Sequence, residues 1–170
     1  EQARLIDCQT APAQVCDYTH PPFARWFVGG TTNLCHNAVD RHLATRGDQQ
    51  ALIFVSTETR QERVYSYREL HAEVQRMAAC LIELGVKKGD RVLIYMPMIP
   101  EAAFAMLACV RIGAIHSVVF GGFASHSLAS RIDDAQPTVI VSADAGMRSG
   151  KVVAYKPLLD EAVKLAAHKP

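Results

Sequence analysis

Arg91-Val92-Leu93-Ile94-Tyr95-Met96 is an almost unbroken run of apolar, strand-forming residues. A strand covered by helices on both faces reads this way, whereas a strand with one wet face alternates. Gly89-Asp90 turns the chain into the run and Pro97 stops it. Pro100 then stands where a first-turn proline is tolerated, Glu101 complements the positive end of a helix dipole, and Gly113 closes that helix after Ile112. Residues 115–119 and 138–142 form two further buried strands. A helix carrying Leu128 and Ile132, with Ser125 as its N-cap, lies between them, and a helix over residues 157–168 follows. Strands and helices alternating through connections of a few residues predict an α/β fold, a partial parallel sheet built from βαβ crossovers.

Working back from that core, residues 51–55 and 63–67 are two β-rich runs around a polar stretch, the pattern of a hairpin with a long turn. Ser66 with Glu69 three residues on makes a capping box, and Leu70, Val74, Met77, Leu81 and Leu84 fall on one helical stripe that ends at Gly85. Residues 1–48 are irregular in pattern and are expected to be an N-terminal extension to the α/β portion over 49–170. Its first six residues look like a helix entered partway. Thr19-His20-Pro21-Pro22 forbids a helix, and the aromatic knot Phe23-Ala24-Arg25-Trp26-Phe27 is expected to pin the extension on the main domain through packing area. The Gly29-Gly30-Thr31-Thr32 stretch lacks the lysine and the preceding strand of a phosphate loop. His36 and His42, six apart, do not share a helix face and are expected at the surface rather than on a metal.

The 170 residues are 49% hydrophobic, enough to bury a substantial core. Eighteen Lys and Arg against seventeen Asp and Glu give a net charge of +1, scattered rather than blocked. That excludes a general nucleic-acid or membrane-surface footprint, so an anion site has to be local. Five cysteines without C-x-x-C spacing, with Cys80 and Cys109 among apolar neighbours, fit buried reduced thiols in a cytoplasmic protein. No apolar run approaches membrane-spanning length.

Ligands of open α/β sheets collect at the carboxyl ends of the strands, which here release into two glycine-bearing turns. In Phe120-Gly121-Gly122-Phe123 the missing Cβ atoms allow close backbone approach, although such a turn also serves as a plain tight connection. In the stretch over residues 143–151, Arg148-Ser149-Gly150-Lys151 sets two cations around small residues. Both cations can reach one phosphate while Ser149 and Gly150 offer backbone N–H groups; a solvated basic loop is the alternative. His116 reads as a core or crevice histidine, and Asp133-Asp134 as the solvated end of a helix. No Ser-His-Asp order or carboxylate pair stands out, so the sequence offers a binding scaffold without a complete catalytic constellation.

Longer stretches carry a resemblance. The run from Arg91 through Met96, Pro97, Met98, Ile99, Pro100, Glu101 and Ala102, the run from Leu107 through Gly113 to Phe123, and Arg131-Ile132-Asp133-Asp134-Ala135 closely resemble the N-terminal part of the short-chain acyl-CoA synthetases, the acetyl- and propionyl-CoA synthetases. The segment from Pro21 to His42 is most similar to the propionate enzymes. The resemblance implies the first part of the large N-terminal domain of an acyl-adenylate-forming enzyme. Such an enzyme joins propionate to ATP, with Mg2+, releases pyrophosphate, and lets the thiol of coenzyme A displace AMP. It further implies that Arg148, Ser149, Gly150 and Lys151 match a coenzyme A loop of the form Arg-x-Gly-Arg or Arg-x-Gly-Lys, and that Gly121 and Gly122 lie against the coenzyme. The ATP loop, the acyl pocket and the adenylation lysine are expected downstream of this chain, which is then an N-terminal fragment inactive by itself. An acetyl-CoA synthetase fragment, or a non-catalytic nucleotide- or CoA-binding module, is the alternative.

Overall fold

The computed structural model describes residues 5–170, so most of the helix expected over residues 1–6 lies outside the described residues. Part of the stretch expected to be irregular is an antiparallel ribbon, β1 (Gln14–His20) and β2 (Phe23–Val28). The Pro21-Pro22 pair that forbids a helix makes the reversal between the two strands. The ribbon packs chiefly against itself, so its aromatics do not pin the extension: Phe23 is 77% and Trp26 63% exposed. The attachment lies further on, at α1 (Leu34–Ala38), a 3-10 turn over Asp40–His42, and α2 (Leu43–Arg46), and is polar as well as apolar. Asn33 caps α1, its Oδ1 accepting the His36 N–H at 3.1 Å, while its Nδ2 donates to the carbonyls of Val110 and Arg111 at 3.0 and 3.1 Å. Asp40 pairs with Arg111, and Cys35 and Val39 enter the core beside them.

β3 (Gln50–Ser56) and β4 (Gln61–Ser66) form the expected hairpin. The capping box at Ser66 then starts α3 (Tyr67–Glu83): the Glu69 N–H donates to Ser66 Oγ, and the Ser66 N–H donates to Glu69 Oε2 at 2.8 Å. The Ser66 N–H and the Ser66 hydroxyl, which also donates to Glu69 Oε2 at 2.9 Å, hold the Glu69 carboxyl below its usual range, the backbone donor contributing most. Leu70, Val74, Ala78 and Leu81 are the buried stripe. Leu84 leaves it, 64% exposed, because it is the C-cap and Gly85 turns the chain away in a left-handed conformation.

The parallel sheet comprises β5 (Arg91–Met96), β6 (Ile115–Phe120) and β7 (Val139–Ser142) in the order β6-β5-β7. Between and after these strands come α4 (Pro100–Ile112), α5 (Ser125–Ala135) and α6 (Tyr155–Leu165). As its apolar run predicts, β5 is central and buried on both faces, whereas β6, also expected to be buried, lies at the sheet edge with Ile115, Val118 and Phe120 exposed. Val92 and Ile94 join the core formed with α3 and α4, and Leu93 and Tyr95 join the one formed with α5 and α6. Burying such side chains stabilises the fold by about 1.5 to 3 kcal/mol each. Ser125 is the first residue of α5 and not its cap, a place taken by Ala124 without a side-chain bond. α6 starts at Tyr155 and ends at Leu165, and its apolar face is covered by α5 through Ala162 in the second core. Asp133 is engaged rather than merely solvated, accepting the His168 N–H at 2.8 Å.

All five cysteines are free. Cys35 and Cys109 are buried, Cys16 is half-buried, and Cys8 and Cys80 are exposed, Cys80 lying on the outer side of α3 and not in the core. Among the described residues no helix is long and apolar enough to cross a membrane.

Candidate functional site

Because β5, β6 and β7 run parallel in register, Met96 beside Phe120 and Tyr95 beside Ser142, their carboxyl ends open on one edge of the sheet. The stretch over residues 143–151, expected as a glycine-bearing turn, leaves β7 as a second ribbon. β8 (Ala145–Arg148) and β9 (Lys151–Ala154) are antiparallel, with Arg148 paired to Lys151 across the two-residue tip Ser149-Gly150. Ser149 has φ 51° and Gly150 φ 70°, the paired left-handed residues of a tight hairpin turn. Glycine is at ease there, whereas a serine gives up roughly 1 to 2 kcal/mol. The N–H groups of Tyr155 and Lys156 donate to the Asp144 carbonyl at 2.9 and 3.0 Å and close the base of the ribbon onto α6.

Side chains alternate along β8, so Gly146 and Arg148 share a face. On that face Gly146 lies against Pro97 at the end of β5 and against the Tyr155 ring, close enough that an added Cβ would fall 3.0 Å from Pro97 Cβ. Further along, the Arg148 guanidinium lies over the Phe120 ring, 5.3 Å from its centroid, and beside Gly122. Phe120 meets Phe123 edge-on at 6.0 Å, Arg131 stacks on Phe123 at 4.1 Å, and the Tyr95 hydroxyl donates to the Phe123 carbonyl at 3.1 Å. Gly121 is buried under Tyr155, whose ring in turn meets Tyr95 at 5.1 Å. Burial raises the Tyr95 hydroxyl pKa above its ordinary value, with Tyr155 adding to the rise.

The fold thus brings Gly121, Gly122 and Arg148 together at the carboxyl edge, with Ser149, Gly150 and Lys151 at the adjoining ribbon tip. Arg148 and Lys151 are directly opposed across the strands, a like-charge pairing that destabilises an isolated ribbon. Among the described residues neither cation has a carboxylate within ion-pair distance. Two opposed cations at an exposed tip beside a glycine turn and an aromatic floor are suited to an anion carrying a flat ring, such as a phosphorylated nucleotide.

The expectation that Ser149 and Gly150 offer free N–H groups to that anion is corrected. Both groups donate to the Glu58 carboxylate at 2.8 Å, reaching across to the turn between β3 and β4. A cleft of about 900 Å³ lies between the two ribbons, lined by Glu58, Arg63, Pro97, Glu101 and Met147 among others. Sequence reasoning missed Glu58 and Tyr155. Glu58 is 91 residues from Ser149 in the chain, and nothing local signals such a pairing. His36 bonds Asp7 at the surface, and among the described residues no group of His, Cys, Asp and Glu is placed to hold a metal.

Comparison with known proteins gives a consistent set of likenesses. The family described as "AMP-binding enzyme" matches residues 39–169, and the one described as "Acetyl-coenzyme A synthetase N-terminus" matches residues 1–38. The propionate-CoA ligase of Escherichia coli is 62% identical over 170 residues, which is 100% of this chain and 27% of that protein. The acetyl-coenzyme A synthetase of Streptomyces coelicolor is 54% identical over 167 residues, 98% of this chain and 26% of that protein. The solved structure of the acetoacetyl-CoA synthetase from Streptomyces lividans superposes with a TM-score of 0.87 at 31% identity, covering 97% of this chain and 25% of that one. The chain therefore spans about a quarter of the length of the proteins it matches.

Proposed function

The chain belongs to the AMP-binding enzyme family, and on that premise we propose that it is the N-terminal part of an AMP-forming acid-CoA ligase acting on propionate. The whole enzyme converts propionate, ATP and coenzyme A to propionyl-CoA, AMP and pyrophosphate through an acyl-adenylate. Residues 1–48 serve as the extension, and residues 49–170 as the first α/β portion of the AMP-binding domain. Propionate rather than acetate is favoured by the higher identity to the propionate ligase, 62% against 54%. Five free thiols suit a reducing compartment, and we place the enzyme in the cytoplasm.

This piece supplies the coenzyme A side of the ligase. Arg148 and Lys151 hold the phosphates of the coenzyme's ADP end, Arg148 with a planar fork and Lys151 with a compact point charge. Ser149 and Gly150 form the turn that opposes the two cations, and of the two glycines before α5 the exposed Gly122 lets the backbone come close to the ligand while Gly121 packs beneath Tyr155. Each charge-assisted bond of this kind contributes about 1.5 to 3 kcal/mol. The observation that carries the proposal is the seating of the Arg148 guanidinium against Phe120 and Gly122, which joins the two glycine-bearing segments into one site. ATP, with its Mg2+, supplies the activation of the carboxylate, and no residue of this chain is assigned to it.

The test is a side-by-side assay on the full-length enzyme with propionate and acetate. Acid-dependent consumption of the coenzyme thiol with release of AMP and pyrophosphate, at a higher kcat/KM for propionate, is expected. Absence of acid-dependent thioester would overturn the ligase assignment, and a higher kcat/KM for acetate would overturn the choice of acid.

A further inference from the structure

The two cations at the tip of the β8–β9 ribbon are only as well placed as the tip itself. A two-stranded ribbon is marginally stable alone, and this one has opposed like charges and a serine at a left-handed position, φ 51°. Local preferences therefore work against the conformation observed. What opposes them comes from the other ribbon. Glu58, in the turn between β3 and β4, accepts the N–H groups of Ser149 and Gly150 at 2.8 Å each. One carboxylate satisfies two successive donors of the turn while both residues hold their left-handed conformation.

We propose that Glu58 is a positioning residue for the phosphate-binding pair: by clamping the Ser149 and Gly150 N–H groups it fixes the ribbon tip and with it the directions of Arg148 and Lys151. Two consequences follow from the geometry. The phosphates are gripped by side chains and not by the backbone of the tip, because its N–H groups are already taken. The β3–β4 and β8–β9 ribbons move as one unit, bridged over the cleft between them. This role presupposes that the tip takes the coenzyme's phosphates; the ordering of the tip by Glu58 does not, and the experiment separates the two.

Glu58→Ala, Glu58→Gln and Arg148→Ala are compared in the full-length enzyme by hydrogen exchange of the peptide over residues 147–152 and by the half-reactions. In Glu58→Ala the peptide exchanges at least about tenfold faster, since two bonds to a charged acceptor are lost. The KM for coenzyme A rises roughly tenfold, short of the roughly hundredfold that an ångström of misplacement can bring. Propionate-dependent pyrophosphate exchange stays at the parental rate. Glu58→Gln, which keeps an acceptor oxygen, falls between. Unchanged exchange in Glu58→Ala overturns the clamp. A lowered KM for coenzyme A also overturns it, showing the carboxylate to be a competitor for the N–H pair. Faster exchange with an unchanged KM, while Arg148→Ala raises the KM, overturns the positioning role alone. An unchanged KM in Arg148→Ala removes the coenzyme site and the positioning role with it.

Discussion

Replacing Gly121 by alanine puts a methyl group into space that the Tyr155 ring already fills. The new Cβ would lie 2.5 Å from Tyr155 Cε1 and 2.8 Å from Cζ, where ordinary contact begins near 3.4 Å. The ring has to retreat by about 0.9 Å, and it has nowhere to go. Tyr155 is 5% exposed and meets Tyr95, itself fully buried, at 5.1 Å. Overpacking of this kind costs about 1 to 3 kcal/mol, to be measured by urea unfolding followed by circular dichroism. Gly122→Ala is the control, one residue along with the opposite surroundings. Its Cβ would meet the Arg148 guanidinium and, at 2.5 Å, Phe120 Cε1, but both side chains are exposed and can swing aside. The expected stability loss there is below about 1 kcal/mol, while coenzyme binding weakens because the guanidinium is displaced. Parental stability in Gly121→Ala, or an equal loss in the two variants, would refute the packing assigned to Tyr155.

Acid should dissect the capping box of α3. The Glu69 carboxyl titrates below its usual range because Ser66 donates to it. Its stabilisation is therefore present above the unfolded value of about 4.3 and is lost as the pH falls through the lower folded value. The stability difference between the parent and Glu69→Ala, read from urea unfolding, closes as the pH is lowered from about 6 to about 3; a gap that persists or widens in acid would contradict this. The thiols should divide by burial: Cys8 and Cys80 react with a thiol reagent in the native protein, while Cys35 and Cys109 wait for unfolding. Burial pushes the Cys109 thiol up to about 11, so it is also short of thiolate. Rapid native labelling of Cys109 would contradict the packing of α4.

The parallel core was the most legible part of the chain, because its signals are local. β5 reads as an unbroken apolar run, Pro100 and Gly113 bracket α4, and Ser66 with Glu69 bonds as a capping box should. The ribbons were harder. β1–β2 has aromatics without alternation or a glycine turn, and its aromatic area proved to be surface rather than anchor, since no pattern within residues 14–28 says whether another layer covers them. The attachment is made instead by Asn33 and Asp40 to the far end of α4, a pairing over more than 70 residues of chain. At the site, Gly121, Gly122, Arg148 and Lys151 were readable as candidates. The strand pairing that opposes the two cations was not, nor was the Glu58 carboxylate that occupies the N–H groups of the tip.

The central claim is that the β8–β9 tip binds coenzyme A and takes no part in activating the acid. In the proposed ligase adenylation precedes thioester formation, so the two half-reactions of Arg148→Ala in the full-length enzyme test it most directly. The KM for coenzyme A should rise by about tenfold or more, the loss of one charge-assisted bond, while propionate-dependent pyrophosphate exchange continues at nearly the parental rate. Equal losses in both half-reactions, or an unchanged KM for coenzyme A, would contradict it.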